Sequence, residues 1–81
     1  MTDIRERLIR CFEIVFPDVA APDIPGVTMD SLDAWDSLAM VTLVAVIEEE
    51  FVVEFPLDAI GSMTSFESMF AMLVDLAGNP R

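Results

Sequence analysis

The chain has 81 residues, of which 54% are hydrophobic, and a formal net charge of −11 from fifteen acidic residues and four arginines, with no lysine. This length suits one small hydrophobic core, so we predict a single domain over residues 1–81. The lack of histidine and the single cysteine exclude an internal disulfide, a zinc cluster and the histidine-dependent catalytic sets. We therefore expect no enzymatic activity and no metal site.

The acidic charge also limits the partners and the location of the chain. Phosphate backbones and anionic membrane surfaces repel a net charge of −11, so we expect no nucleic-acid binding and instead partner proteins with basic patches. An alternative explanation is that the acidic residues only keep a small hydrophobic protein in solution. The N-terminus lacks the basic start and apolar run of a secretion signal, and the longest apolar stretch, residues 38–47, is too short to cross a bilayer. We expect a monomeric cytoplasmic protein without membrane insertion.

The first predicted element is an amphipathic helix over about residues 3–16. Asp3 can cap its N-terminus, with Glu6 three residues later, and Pro17 disfavours helical geometry at Phe16. Apolar residues recur at three- and four-residue steps, and charged residues occupy the opposite face. The apolar face consists of Ile4, Leu8, Cys11, Phe12 and Val15.

Residues 17–35 are predicted to form a long loop rather than a regular element. Three prolines and a glycine interrupt this segment, and a loop of this length in a small domain is often functional. We expect Trp35 to hold the loop against the bundle. The other candidate anchors are Val19, Ile24, Val27, Met29 and Leu32.

A second helix is predicted over about residues 37–51, with Asp36 as its N-terminal cap. One stripe is assigned to the core by its helical spacing and consists of Met40, Leu43, Val44, Ile47 and Phe51. A neighbouring face contains Ser37 together with Leu38, Val41 and Ala45. This face is more apolar than a helix face that contacts only solvent.

Two further helices complete the predicted fold. A short helix over about residues 57–61 follows Pro56, and a last helix over about residues 65–77 begins at a capping box of Thr64 and Glu67. We therefore predict an all-α fold. It is a small four-helix bundle of three longer helices and one short helix, with a long loop between helices 1 and 2.

The residues that can carry chemistry are Asp36, Ser37 and Leu38. A serine at a helix N-terminus can present its hydroxyl where backbone N–H groups and the helix dipole favour a phosphate. The tripeptide alone is weak support, because serine at a helix start more often serves only as a cap or first-turn residue.

A wider segment resembles the attachment region of acyl carrier proteins. The resemblance lies in Leu-Asp-Ala-Trp-Asp-Ser-Leu at residues 32–38 and Val-Ile-Glu-Glu-Glu-Phe at residues 46–51, and the order of the helices extends it along almost the whole chain. It implies that a phosphopantetheinyl transferase recognises Asp36 and Leu38 and attaches 4′-phosphopantetheine covalently to Ser37. Acyl ligases, synthases or transferases would then load or use acyl thioesters on the arm. The partner-facing residues would be Leu38, Val41, Ala45 and Glu48.

Departures from the family pattern indicate a specialised pathway. Many carriers of fatty acid biosynthesis have acidic residues at the positions of Ala39 and Thr42, and a small or acidic residue where this chain has Trp35. Fewer acids near Ser37 weaken docking to strongly basic partners, which favours a dedicated lipid-modification, polyketide or other secondary-metabolite pathway. Aminoacyl and peptidyl carriers share the fold and the attachment serine, so the type of cargo stays open.

Two alternative functions belong to other classes of protein. An acidic helical adaptor or secretion chaperone would bind a partner helix through the apolar face of the second helix and would carry no prosthetic group. A calcium loop over residues 30–41 is excluded, because this window lacks the central glycine and ends in valine instead of glutamate.

Overall fold

The computed structural model describes residues 3–77, which form four α-helices and one 3₁₀ helix. The elements are α1 (Ile4–Val15), the 3₁₀ helix (Ala21–Gly26), α2 (Ser37–Phe51), α3 (Leu57–Ile60) and α4 (Phe66–Ala77). Within this range there is no β-strand, only an isolated antiparallel bridge between Thr28 and Ser65. The predicted all-α bundle of three longer helices and one short helix is confirmed, and each helix begins and ends within one residue of its predicted bounds.

Local capping sets both ends of α1. The Asp3 carboxylate accepts the backbone N–H of Glu6 at 2.8 Å, as predicted. At the other end the N–H of Phe16 donates to the carbonyl of Phe12 at 2.7 Å, and Pro17 follows outside the helix. The helix buries Leu8, Cys11 and Phe12.

The segment between α1 and α2 contains a regular element that was not predicted. Ala21–Gly26 is a 3₁₀ helix, so the prediction that residues 17–35 lack regular structure is wrong there. Pro22 lies in the first turn, where its missing N–H costs nothing, and Pro25 removes a donor that a longer α-helix would need. The turn buries Ile24, and Val27 follows it into the core, as their predicted role as anchors requires.

Trp35 holds the end of this segment in the core, as predicted. The side chain is only 2% exposed, and its ring packs edge-on against Phe12, with the centroids 5.4 Å apart, and against Phe16 at 5.9 Å. Its indole N–H has no acceptor among the described residues. An unpaired buried donor costs about 1–3 kcal/mol. Burying a ring of this size stabilises the fold by about 4–6 kcal/mol, which outweighs the cost of the unpaired N–H.

The start of α4 differs from the prediction in its capping residues. Ser65 and Ser68 form the reciprocal pair: the hydroxyl of Ser65 accepts the N–H of Ser68 at 3.0 Å, and the hydroxyl of Ser68 accepts the N–H of Ser65 at 3.1 Å. The predicted box of Thr64 and Glu67 is therefore wrong by one residue. The backbone of Thr64 instead pairs with the loop, because its carbonyl accepts the N–H of Met29 at 2.9 Å.

Helix α1 packs against α2, α4 and the 3₁₀ helix, and the core lies between these elements. Of the predicted α2 stripe, four residues are buried and Phe51 is half-buried, with the Arg7 guanidinium 4.5 Å from its ring centroid. The buried set comprises Leu8, Cys11, Phe12, Phe16, Ile24, Val27, Trp35, Met40, Leu43, Val44, Ile47, Phe55, Met63, Phe66, Met69 and Leu73.

The chain leaves α2 through a left-handed residue. Val52 has φ 54°, and its N–H donates to the carbonyl of Glu48, which closes the last turn. A β-branched residue rarely adopts this conformation. The reversal directs the chain through Phe55, which is buried, to Pro56, the residue that precedes α3. Helix α3 is thereby placed beside α2, where the two helices border a common groove.

Candidate functional site

Asp36 determines where α2 begins. Its carboxylate accepts the N–H of Ala39 at 2.9 Å, and its carbonyl accepts the N–H of Met40 at the same distance. Asp36 has extended backbone geometry, as expected of a capping residue. The cap places Ser37 at the first helical position, as the sequence predicts.

Ser37 is exposed, and its hydroxyl makes no hydrogen bond to any residue within 3–77. At this position the backbone N–H groups of the first turn have no partner inside the helix, and the dipole of a fifteen-residue helix adds partial positive charge. A phosphate esterified to this oxygen would be stabilised by both effects. Next to it, the side chain of Leu38 is 77% exposed.

A groove begins at Ser37 and runs between α2 and α3. Its first part is a cavity of about 330 Å³, and its second part is a cavity of about 380 Å³. The two parts share Val41 and Ile60, so they form one continuous depression, which we call the α2–α3 groove. The lining residues are Met29, Ser37, Met40, Val41, Ile60 and Gly61 in the first part, and Val41, Val44, Ala45, Glu48, Glu54, Phe55, Leu57 and Ile60 in the second.

The residues predicted to face partners differ in their exposure and in their hydrogen bonds. Leu38 and Val41 are 77% and 66% exposed, and Ala45 is exposed on the same side of α2. Glu48 is only half exposed, and its carboxylate accepts the N–H of Phe55 at 2.8 Å. Glu48 therefore also fixes the chain reversal that positions α3, a role that the sequence analysis did not assign.

Leu57 was missed by the sequence analysis. It begins α3, is 87% exposed and borders the groove opposite Val41 and Ala45. The sequence offered one usable signal, an apolar residue directly after Pro56. A four-residue helix is too short for periodicity to separate a buried face from an exposed face, so this signal was not decisive.

The only charged side chains that line the groove are acidic, Glu48 and Glu54 in its second part. The sequence contains no lysine, arginine or histidine between residues 11 and 77, and the three arginines of the described chain all lie on α1. Two of these form ion pairs, Arg5 with Glu67 and Arg7 with Glu50, each at 3.0 Å. The α2–α3 groove therefore has carboxylates at its end and no cation from its own walls.

The described residues offer little for other kinds of chemistry. No group of three or more Asp, Glu or Cys side chains within residues 3–77 is arranged to hold a metal ion. Over the same residues, no helix has both the length and the apolar content needed to span a bilayer. Cys11 is buried in α1, and burial raises the pKa of its thiol to about 11, so it is a poor nucleophile.

Comparisons of the chain with protein-family models, with curated proteins and with solved structures found no match in any of the three.

Proposed function

We propose that this chain is an acyl carrier protein whose Ser37 carries a 4′-phosphopantetheine arm. The observation that carries the proposal is the position of Ser37: an exposed hydroxyl at the first residue of a capped helix, at the mouth of the α2–α3 groove. This position suits a phosphodiester that must be reached by a transferase. The likeness of residues 32–38 and 46–51 to the carrier attachment segment supports the same assignment.

The chain's own residues would hold and present the arm, while the arm supplies the thiol on which acyl groups are held as thioesters. Asp36 keeps the helix start in place, and Leu38 offers an exposed contact for the phosphopantetheinyl transferase. Beyond Ser37 the walls of the groove are mainly apolar, with Met40, Val41 and Ile60 nearest to the attachment point. These walls would shield part of the arm or its cargo from water.

The chain acts in this proposal as a monomeric substrate carrier in the cytoplasm and not as an enzyme. Acyl ligases, synthases or transferases would dock on α2, where the exposed apolar residues Leu38 and Val41 are surrounded by the acidic charge of the molecule. The first three turns of α2 contain no charged side chain. A partner surface with an apolar centre and a basic edge fits this pattern better than a strongly basic one, which favours a specialised lipid or secondary-metabolite pathway.

A second candidate is supported by the same exposed patch. Leu38, Val41 and Leu57 are each more than 60% exposed, and Val41 and Leu57 line the α2–α3 groove, as in a surface that binds an amphipathic helix of a partner. An adaptor or chaperone of this kind would need no prosthetic group. Binding by such an adaptor would survive Ser37→Ala, whereas the function of a carrier would not.

The deciding experiment is intact-protein mass spectrometry after incubation with coenzyme A, magnesium and a broad-specificity phosphopantetheinyl transferase. We expect the mass to increase by one phosphopantetheinyl group in the wild type and not in Ser37→Ala. Alanine is well tolerated at the first turn of a helix, so the variant should fold.

Ser62→Ala is the matched control, because Ser62 is also exposed and its hydroxyl bonds only to the carbonyl of Ala59. This variant should be modified like the wild type. A folded wild-type chain that gains no mass would refute the carrier proposal and leave the adaptor as the better reading.

A further inference from the structure

The α2–α3 groove changes character along its length. Near Ser37 its lining is apolar apart from Ser37 itself, whereas its far part includes the carboxylates of Glu48 and Glu54. The Glu48 carboxylate is held in place by the N–H of Phe55 at 2.8 Å, so this end has a fixed negative group. An apolar channel with an anionic end suits a ligand that is apolar along its length and positively charged at its tip.

The charge around the groove is not balanced by other residues. No basic side chain occurs between residues 11 and 77, so the groove walls contain no cation. The arginines lie on α1, where Arg7 is engaged by Glu50. A cationic group at the far end is therefore attracted by Glu48 and Glu54, whereas an anionic group is repelled by them.

The distance from the attachment point is suitable for a tethered ligand. Glu48 lies eleven positions after Ser37 along α2, which corresponds to about 16 Å of helix. An extended pantetheine arm has about this length, so a group joined to its thiol comes within reach of the two carboxylates.

We propose, on the basis of the carrier function above, that the groove selects acyl cargo that bears a protonated amine. The selected class is aminoacyl or amino-terminated acyl groups, in preference to acyl groups that end in a carboxylate. Glu48 and Glu54 are the specificity-determining residues, and Val41 and Ile60 line the path to them. The preference is modest because the carboxylates are partly in contact with water, which screens their charge.

The test uses the full chain loaded at Ser37 with stable amide-linked coenzyme A analogues. Three series of cargo of increasing length end in an ammonium, a methyl or a carboxylate group. Backbone amide resonances of Val41, Phe55 and Ile60 report the ratio of groove-bound to free cargo. Neutralising the site with the double variant Glu48→Gln/Glu54→Gln should lower this ratio about threefold for the ammonium cargo, leave methyl cargo unchanged and raise the ratio for carboxylate cargo.

Glutamine keeps an oxygen that can accept the N–H of Phe55, so the double variant should retain the fold. Glu49→Gln is the matched control, because Glu49 lies on the same helix end but faces the cavity between α1 and α2. It removes one carboxylate charge where the double variant removes two, and it should leave all three ratios unchanged. Adding salt should reduce the preference for ammonium cargo in the wild type.

Equal changes for ammonium and methyl cargo, or no contact of any cargo with the groove, would overturn the inference while leaving the carrier function intact. Failure of Ser37 to accept any analogue would instead refute the carrier function itself. The two failures are thus separated by the mass of the loaded protein.

Discussion

At the scale of single residues, neighbouring side chains around Ser37 have separate tasks. The Asp36 carboxylate is used by the N–H of Ala39, so it stabilises the helix and leaves the hydroxyl of Ser37 free of hydrogen bonds to the described residues. Glu48, three turns later, stabilises the chain reversal through Phe55 and also contributes charge to the groove. Trp35 lies in the core although it directly precedes Asp36, and its packing against Phe12 anchors the start of α2 to α1.

The pH dependence of protein stability tests the burial of Cys11. Burial raises the pKa of its thiol from 9.0 to about 11, the Glu50 carboxylate adds to this rise and Arg7 opposes it. Between pH 9 and 11 the unfolded chain loses this proton while the folded chain keeps it, so the free energy of unfolding decreases as the pH rises. The free energy of unfolding is unaffected by this group below pH 9, and above pH 11 it is lower by about 2–3 kcal/mol.

Urea unfolding at a series of pH values between 8 and 11 checks this prediction. The chain has no lysine and no tyrosine, so few other groups titrate in this window. Cys11→Ala should unfold more easily than the wild type below pH 9, and its stability should depend little on pH. A wild-type stability that stays flat to pH 11, or an equal decline in Cys11→Ala, would contradict the assigned burial.

At the scale of the elements, α2 is the part of the fold that combines stability with presentation of the site. One face buries Met40, Leu43 and Ile47, while the opposite side exposes Leu38 and Val41. The helix is therefore apolar both on its buried face and on its exposed face. For this reason its sequence is far less amphipathic than that of α1. Its beginning is well capped, but its end depends on a left-handed valine.

Replacing Val52 by glycine should stabilise the protein. A left-handed non-glycine residue costs about 1–2 kcal/mol, whereas the extra freedom of glycine in the unfolded chain costs about 0.4–1 kcal/mol. Val52 is 88% exposed, so its side chain contributes little packing. We expect a net gain of about 0.5–1 kcal/mol, measured by urea unfolding.

Val53→Gly is the control for this prediction. Val53 is half-buried, packs against the core and does not have a positive φ, so the same substitution one residue later should destabilise the protein. A loss of stability in both variants would show that Val52 is not strained.

At the scale of the whole molecule, the dominant feature is a net charge of −11 in a domain with a radius of gyration of 11.8 Å. The two ion pairs of the described chain are largely exposed and contribute little. Repulsion between carboxylates should therefore outweigh attraction at neutral pH.

Added salt should consequently stabilise the fold. Raising NaCl from about 10 to about 200 mM shortens the screening length severalfold, and we expect the free energy of unfolding to rise by about 1 kcal/mol at pH 7. Urea is the suitable denaturant because it is uncharged. The same comparison near pH 4, close to the sequence pI of about 4.1, should give a smaller effect. Destabilisation by salt at pH 7 would mean that the ion pairs with Arg5 and Arg7 outweigh the repulsion.

Features that depend on neighbouring residues along the chain were determined by the sequence alone. Asp3 and Asp36 are predictable caps because a short acidic side chain before an apolar-periodic segment satisfies N–H groups only three residues away. The bounds of the helices and the buried faces of α1 and α2 follow from the same local chemistry and from the 3.6-residue period. The place of Ser37 as the first residue of α2 follows from the cap at Asp36.

Features that depend on contacts between distant segments were decided only by the tertiary structure. Phe66 begins α4 because its N–H donates to the carbonyl of Val27, and this pairing makes Ser65, rather than Thr64, the capping residue. The α2–α3 groove likewise exists because the left-handed turn at Val52 and the bond from Phe55 to Glu48 bring α3 beside α2. No periodicity within one segment encodes how two segments meet, since that geometry is set by the packing of the whole core.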